Sequence, residues 1–151
     1  MCGRFVRQST QEVLADWFGV ELEEMPWFAP SFNIAPQSVQ PVVRLGRDSG
    51  NREFALLRWG LVPFWAKDSK LAYSTINARA EEAATKPAFR EALKKRRCLV
   101  PADAFYEWKR LDAKSKKPLQ LLSPAASLMP LQVCGRAGNR RTVSHWRLSR
   151  S

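Results

Sequence analysis

Cys2 stands out chemically because it directly follows the initiator methionine in the opening stretch MCGRF. If Met1 is removed, this cysteine presents a free α-amine and a thiol, a pair of nucleophiles that no other standard residue offers. An α-amine is partly neutral near pH 7, so it can attack a carbonyl carbon with little activation. The alternative interpretation is that Cys2 is only a small residue at a frayed terminus.

Polar residues that could join such a site occur in three further stretches. These are FNIAP at 32–36, STINARAE at 74–81 and FYEW at 105–108. Asn33 could simply cap a turn, and Asn77 with Arg79 could belong to an ordinary polar loop. Glu107 lies between two aromatic residues on a predicted strand, where it faces either solvent or a half-buried pocket. In a pocket, this carboxylate is a competent general acid or base.

The stretches RWGLVPFWA and VPADAFYEWK complete a set of five motifs that also includes MCGRF, the FNIAP element and INARAE. Over residues 1–118, their order and spacing resemble the SOS-response-associated peptidase (SRAP) family. Two positions depart from the family pattern, since Phe32 stands where tyrosine is common and Ala104 where glycine is usual. Neither departure removes a reactive group.

The resemblance implies a covalent reaction of Cys2 with damaged DNA. After Met1 is removed, the α-amine condenses with the ring-opened aldehyde of an abasic site in single-stranded DNA. The thiol then closes on the imine carbon, which gives a thiazolidine DNA–protein cross-link. By the same resemblance, Asn77 would orient the sugar or the amine, and Glu107 would move protons during condensation and reversal. The reaction implies no cofactor and no metal ion.

The resemblance also implies residues that bind the DNA around the lesion. Arg4 and Arg79 would hold phosphates, and Asn33 would help to line the pocket. Trp65 would stack against a neighbouring base or wedge beside it. The alternative for this tryptophan is an ordinary place in the hydrophobic core.

A short helix is predicted directly after the opening stretch. Ser9-Thr10-Gln11-Glu12 has the pattern of a capping box, and Gly19 is a plausible stop. The apolar face of this helix is expected to consist of Val13, Leu14, Trp17 and Phe18.

The rest of the chain is β-rich. The segments VQPVVRLG and REFALLRWGLVP read as two strands joined by a turn at Arg47–Asn51, and CLVPADAFYEWK reads as a further strand. A second helix is predicted from Pro87 to Arg97. This mixed order predicts an α+β class, and the family resemblance implies curved antiparallel sheets, barrel-like, with flanking helices.

Composition and charge point to nucleic acid as the partner. The net charge is +11 and 45% of the residues are hydrophobic, which is typical of a basic globular domain. No apolar run is long enough to span a membrane, and the N-terminus lacks the pattern of a signal peptide. Three cysteines without a C-x-x-C pair and one histidine argue against a zinc site or a disulfide scaffold. We therefore expect a monomer in the cytoplasm, associated with the nucleoid.

The tail differs from the rest of the chain, so we predict two segments, residues 1–118 and 119–151. The second contains five arginines and no acidic residue. The His-x-Arg-Met-Pro element of the family is absent, and His145 lies in VSHWRL, which does not match it. We predict that residues from about Leu119 onward are read from a shifted frame, which would leave the fold incomplete at its C-terminus.

Three alternatives to the cross-linking function stay open on the sequence alone. The chain could be a thiol autopeptidase that only processes its own N-terminus. It could bind single-stranded DNA without covalent chemistry, with an incidental cysteine. It could also be an inactive truncated product, so whether this chain is an enzyme is left open.

Overall fold

The structure, a computed structural model, describes residues 3–113, 115–122, 131–135 and 142–147, with side chains for 3–113 and 115–121. The strands in this part are β1 (Arg4–Arg7), β2 (Ser31–Ile34), β3 (Val39–Leu45), β4 (Arg52–Trp59), β5 (Asn77–Arg79), β6 (Arg97–Val100), β7 (Ala104–Arg110), β8 (Lys116–Leu122), β9 (Leu131–Gly135) and β10 (Thr142–Arg147). The α-helices are α1 (Gln11–Phe18), α2 (Ala80–Ala83) and α3 (Arg90–Lys95), and 3-10 helices cover Leu22–Glu24 and Ser69–Tyr73. Cys2 lies outside the described residues.

The strands form two sheets. The first has the order β2-β1-β7-β8, and all its pairings are antiparallel. The second has the order β4-β3-β6-β9-β10-β5, in which β10 pairs with β5 in parallel. Strand β10 also makes a short parallel pairing with β4, the strand at the other end of this order. The predicted α+β class with curved sheets and flanking helices is therefore confirmed.

The predicted strand pair around Arg47–Asn51 is confirmed as β3 and β4, which pair in register from Val39↔Arg58 to Leu45↔Arg52. The single strand predicted from CLVPADAFYEWK is wrong, because this segment divides into β6 and β7 in different sheets. Pro101 lies at the division and lacks the N–H group that a continuous strand pairing would use.

Helix α1 begins and ends where the sequence predicted, but its buried face differs. Gly19 closes it in the left-handed conformation at φ 62°, whereas the Thr10 side chain makes no capping hydrogen bond. The buried residues are Leu14, Ala15 and Phe18. Val13 and Trp17, expected to point inward, are 50% and 49% exposed. The helix is only two turns long, so small differences in its rotation decide which apolar residues reach the sheet.

The main core lies between the two sheets. Phe5 and Ile34 of the first sheet pack with Trp59 of the second, and Phe5 and Trp59 have ring centroids 5.6 Å apart. Other members of this cluster are Val42, Ala55, Leu57, Cys98, Val100 and Ala102. A second cluster lies between α1 and the other face of β3 and β4. The fold therefore has three layers, with the second sheet in the middle, the first sheet on one side of it and α1 on the other.

Strand β1 also carries a buried cation. The Arg7 side chain is nearly inaccessible, lies 4.5 Å over the Phe28 ring, and donates a hydrogen bond from Nη2 to the Ala29 carbonyl oxygen at 2.9 Å. Burial lowers the pKa of Arg7 to about 10, and the nearby Asp103 carboxylate opposes part of that decrease. Arg7 therefore remains charged at neutral pH and links β1 to the loop before β2.

Asp103, in the connection between β6 and β7, holds the segment that joins β1 to α1. Its carboxylate accepts hydrogen bonds from the Gln8 amide at 2.6 Å, the Ser9 amide at 3.0 Å and the Ser9 hydroxyl at 2.5 Å.

We predict that Asp103→Ala lowers the free energy of unfolding by about 2–3 kcal/mol, since hydrogen bonds to a charged acceptor are lost together. Asp103→Asn keeps one acceptor oxygen and should lose about half as much. Urea denaturation measures both, and equal losses would contradict this account.

Strand β8 crosses the predicted segment boundary at residue 118. It pairs with β7 on both sides of that position, from Arg110↔Lys116 through Trp108↔Pro118 to Ala104↔Leu122. The first sheet therefore continues past the boundary, while the shifted frame stays a prediction. In the part of the chain that the structure describes, no helix is long and apolar enough to cross a membrane.

Candidate functional site

Arg4 and Asn33 come together on the outer face of the first sheet. The Arg4 guanidinium donates a hydrogen bond from Nη1 to Asn33 Oδ1 at 2.7 Å. Arg4 is also the register partner of Tyr106, whose hydroxyl donates to the Phe32 carbonyl oxygen at 3.1 Å. These side chains border a cavity of about 360 Å³, lined by Arg4, Asn33, Tyr106, Trp108 and Pro118. The cavity combines a cation, an amide and two aromatic rings.

Glu107 occupies the opposite face of the same sheet. Side chains alternate along a strand, so Glu107 shares the face of Phe105, which packs against the core between the sheets. The side chain is partly buried, and its Oε1 atom is shielded from solvent. The carboxylate therefore lies at the edge of the core, whereas Arg4 and Asn33 lie outside it.

Asn77 begins β5, in the second sheet. The segment before it is held firmly: the Trp59 indole N–H donates to the Ile76 carbonyl oxygen at 2.8 Å, and the buried Thr75 hydroxyl contacts the carbonyl oxygens of Leu61 and Leu71. Ile76 also packs against the core cluster that Phe105 contacts. Asn77 directly follows Ile76, and Glu107 lies two positions after Phe105. Both candidate residues are therefore close in sequence to side chains that pack against the same core cluster.

The two remaining predicted residues are more exposed. Arg79 follows Asn77 by two positions, on the same face of β5, and its Nη1 lies 3.8 Å from Glu82 Oε1. Trp65 is 52% exposed and lines a cavity with Ala66, Lys67, Asp68 and Leu71. Trp65 is thus far more exposed than a core tryptophan such as Trp59, which is 1% exposed.

The pairing of β1 with β7 ends next to the strand position of Glu107. Arg4↔Tyr106 is the last register pair of β1 with β7 in that direction. The next residues along the two strands are Gly3 and Glu107. The described chain therefore begins beside the carboxylate singled out by the FYEW motif, with the Arg4–Asn33 pair on the other side of the sheet.

Comparison with known proteins defines the family. The family described as SOS response associated peptidase (SRAP) matches residues 1–135. The chain belongs to the SRAP family. The match extends beyond residue 118 and ends with β9.

Two curated relatives illustrate how closely this SRAP chain resembles named proteins. It is 45% identical over 130 residues to the abasic site processing protein YoaM of Bacillus subtilis, which covers 85% of this chain and 56% of YoaM. It is 42% identical over 101 residues to the abasic site processing protein HMCES of Mus musculus, which covers 60% of this chain and 28% of HMCES. The SRAP chain thus spans about half the length of its Bacillus relative.

Two solved structures share the fold. A protein from Bacteroides thetaiotaomicron has a TM-score of 0.81 at 19% identity, over 96% of this chain and 67% of that chain. A phage-related protein from Bordetella bronchiseptica has a TM-score of 0.74 at 22% identity, over 96% of this chain and 68% of that one. At these identities, the likeness concerns the SRAP fold alone.

Gln37 is a residue near this SRAP site that no sequence motif indicated. It has a φ of 72°, the one positive value outside glycine among the described residues. Its amide N–H donates to the Trp59 carbonyl oxygen at 2.8 Å, and its side-chain Nε2 donates to the Ala72 carbonyl oxygen at 3.2 Å. Gln37 therefore joins the turn after β2 to the segment that leads to Asn77. Its position after Pro36 is the signal that could have indicated a turn with positive φ.

Proposed function

We propose that this chain processes abasic sites in single-stranded DNA by forming a covalent thiazolidine cross-link through Cys2, after removal of Met1. The observation that carries the proposal is the junction at the end of β1, where Gly3 and Glu107 follow the pair Arg4↔Tyr106. A reactive N-terminus attached to Gly3 starts beside a partly buried carboxylate. Membership of a family that includes abasic site processing proteins supports the same reaction.

The proposed reaction releases one water molecule in total. The Cys2 α-amine adds to the aldehyde carbon of the opened abasic sugar and gives a carbinolamine. Glu107, as general acid, protonates the hydroxyl that leaves as water, and its carboxylate then takes the proton from the nitrogen, which leaves a neutral imine. The Cys2 sulfur then adds to the imine carbon, and the thiol proton passes to the nitrogen. In our proposal Asn77 orients the sugar or the amine by hydrogen bonding.

Basic residues extend the candidate DNA surface beyond Arg4. At the far end of the β7–β8 hairpin, two cross-strand pairs consist of cations only, Lys109↔Lys117 and Arg110↔Lys116, and all four are exposed. Like charges directly opposite each other on a sheet repel and destabilise it. Phosphates bound along this hairpin would offset that repulsion.

DNA contacts on both sides of the lesion follow from the same proposal. The outer-face cavity with Arg4 and Asn33 would take a phosphate and an adjacent sugar. Trp65, half exposed, would stack against a neighbouring base, since base–aromatic stacking suits an unpaired strand. Arg79 would hold a phosphate near Asn77.

A cross-linking assay with two matched oligonucleotides tests the proposal. One strand carries a natural abasic site, and the other carries a tetrahydrofuran analogue that cannot open to an aldehyde. We expect a heat-stable shifted band on a denaturing gel with the first strand and none with the second. Mass spectrometry of the protein checks that Met1 has been removed.

The alternatives give different results in the same assay. Equal, salt-sensitive binding to both strands without a covalent band would indicate a non-covalent DNA-binding module. Loss of Met1 without DNA binding would indicate an autopeptidase alone. A chain that shows no cooperative unfolding transition would be an inactive truncated product.

A further inference from the structure

A second cleft lies away from the residues assigned to the abasic-site reaction. It forms where the C-terminal end of α1 meets the neighbouring strands β3 and β6, and its volume is about 490 Å³. This volume is within the range of pockets that bind small ligands or peptide side chains. The cleft is lined by Trp17, Phe18, Val43, Arg44, Leu45, Arg52, Arg97, Cys98 and Leu99.

The cleft has an apolar floor and exposed apolar walls. Val43 and Leu99 are register partners on β3 and β6, and both belong to the cluster beneath α1 or pack against it. Trp17 is 49% exposed and Leu45 is 67% exposed. Val13, one helical turn before Trp17, extends this surface along α1. Exposed apolar side chains around a cleft, bordered by charges, are typical of an interaction site.

Arginines border the apolar surface. Arg44 is paired with Glu53, with an Nε to Oε1 distance of 2.6 Å. Arg52 donates from Nη1 to the Phe18 carbonyl oxygen at 3.1 Å, which fixes its guanidinium at the end of α1. Arg97 lies exposed at the start of β6. Among the described residues that line the cleft itself, three are arginines and none is acidic.

The position of acidic side chains argues against a nucleic acid strand as the ligand. Exposed carboxylates lie along α1, which borders the cleft, and in the turn after it. They belong to Glu12, Asp16, Glu21, Glu23 and Glu24. A polyphosphate strand that continued from the cleft along α1 would be repelled by these charges. A short segment with local negative charge would avoid them.

We propose that this cleft binds an acidic peptide segment of a partner protein. The segment places an aliphatic or aromatic side chain between Trp17 and Leu45. A neighbouring carboxylate binds Arg97 and Arg52, whose planar guanidinium groups suit a carboxylate. This partner site is independent of the abasic-site reaction, because it uses none of the residues assigned to that reaction.

The test uses the full chain and a fluorescein-labelled peptide, Asp-Glu-Asp-Leu-Phe-Leu-Ser-Ser, which has acidic residues on one side of its apolar residues only. Binding is followed by fluorescence anisotropy. We expect saturable binding with a Kd of about 10–100 µM. Arg97→Glu should weaken binding at least about 10-fold by reversing the charge, and Trp17→Ala at least about 5-fold by removing the apolar wall. Arg90→Glu makes the same charge change at an exposed position of α3 and should alter the Kd less than about 2-fold.

The controls separate binding in the cleft from non-specific charge attraction and from loss of folding. A peptide in which Ser-Ser-Ser replaces Leu-Phe-Leu should lose saturable binding, and circular dichroism should show that each variant is folded. Unchanged peptide affinity in both cleft variants would overturn the proposal. A second result would overturn the proposal in favour of nucleic acid. In that case the chain binds oligothymidine, Arg97→Glu and Trp17→Ala abolish this binding, and the peptide does not compete for it. Cross-linking to abasic DNA should be the same in both variants and the wild type.

Discussion

Replacing Cys2 with alanine is expected to abolish the heat-stable cross-link to abasic DNA while leaving an imine that borohydride can trap. The variant keeps an N-terminal α-amine after Met1 is removed, so condensation with the aldehyde continues. It lacks the sulfur that closes the five-membered ring, so the imine hydrolyses when the complex is denatured. The yield of heat-stable adduct should fall at least about 100-fold, because no nucleophile of comparable effective molarity replaces the thiol.

A second variant isolates the amine from the thiol. Two extra residues placed before Cys2, the first of them N-acetylated, keep the thiol but convert the Cys2 α-amine into a peptide nitrogen, which cannot form an imine. The acetyl group leaves this chain without a free α-amine. We expect neither a heat-stable adduct nor a borohydride-trapped one from this extended chain. Both variants should bind the tetrahydrofuran oligonucleotide with the affinity of the wild type, since neither removes a cation that contacts phosphate.

These two variants divide the reaction into its steps. A heat-stable adduct from Cys2→Ala would show that another nucleophile, such as a lysine, makes the cross-link. Borohydride trapping of the extended chain would show that another amine, such as that of a lysine, forms the imine. Either result would contradict the assignment of both nucleophiles to Cys2. Loss of affinity for the tetrahydrofuran strand would instead show that the change affects DNA binding.

The strands that the sequence predicted best are those that local alternation determines. β3 and β4 flank a polar turn and pair in register as neighbours, so a short stretch of sequence is enough to predict their pairing. The helix α1 was predicted with correct ends but with Val13 and Trp17 on the wrong side. Sequence periodicity counts apolar residues, whereas the sheet beneath the helix decides which of them it can cover. The two misplaced residues contribute to the surface proposed to bind a peptide.

The candidate site depends on pairings between distant parts of the chain. The motifs indicated the residue types, but neither the register Arg4↔Tyr106 nor the hydrogen bond between Arg4 and Asn33 can be read from local patterns. No local pattern indicated that Glu107 would face the core while Arg4 faces outward. These features join residues 29 positions apart for Arg4 and Asn33 and about a hundred apart for Arg4 and Tyr106, and local propensity carries no information about such contacts.

The indole of Trp59 joins the core to the segment that positions Asn77. Its ring lies between the sheets at 1% exposure and packs against Phe5, and its N–H is the donor to the Ile76 carbonyl oxygen. Gly60 follows with a φ of 130°, and a Cβ there would lie 2.7 Å from the Ala72 carbonyl oxygen. The backbone after Trp59 thus passes very close to the segment before Asn77, so the ring cannot shift without moving that segment.

Trp59→Ala is therefore expected to lower the free energy of unfolding by about 3–5 kcal/mol, since it leaves a large cavity. Trp59→Phe retains an aromatic ring but deletes the N–H, and it should cost about 1–3 kcal/mol by leaving the Ile76 carbonyl oxygen unsatisfied. Urea denaturation followed by circular dichroism measures both losses. Trp17→Ala removes the same side chain from a half-exposed position and should cost less than about 1 kcal/mol.

The same variants connect core packing to the proposed reaction. Under conditions where Trp59→Phe is fully folded, we expect slower cross-linking, because the carbonyl that anchors the strand of Asn77 has lost its donor. Trp17→Ala should cross-link at the wild-type rate. An unchanged rate in folded Trp59→Phe would mean that Asn77 is positioned by other contacts, such as those of Thr75. Equal losses of stability in Trp17→Ala and Trp59→Ala would contradict the assignment of Trp59 to the core between the sheets.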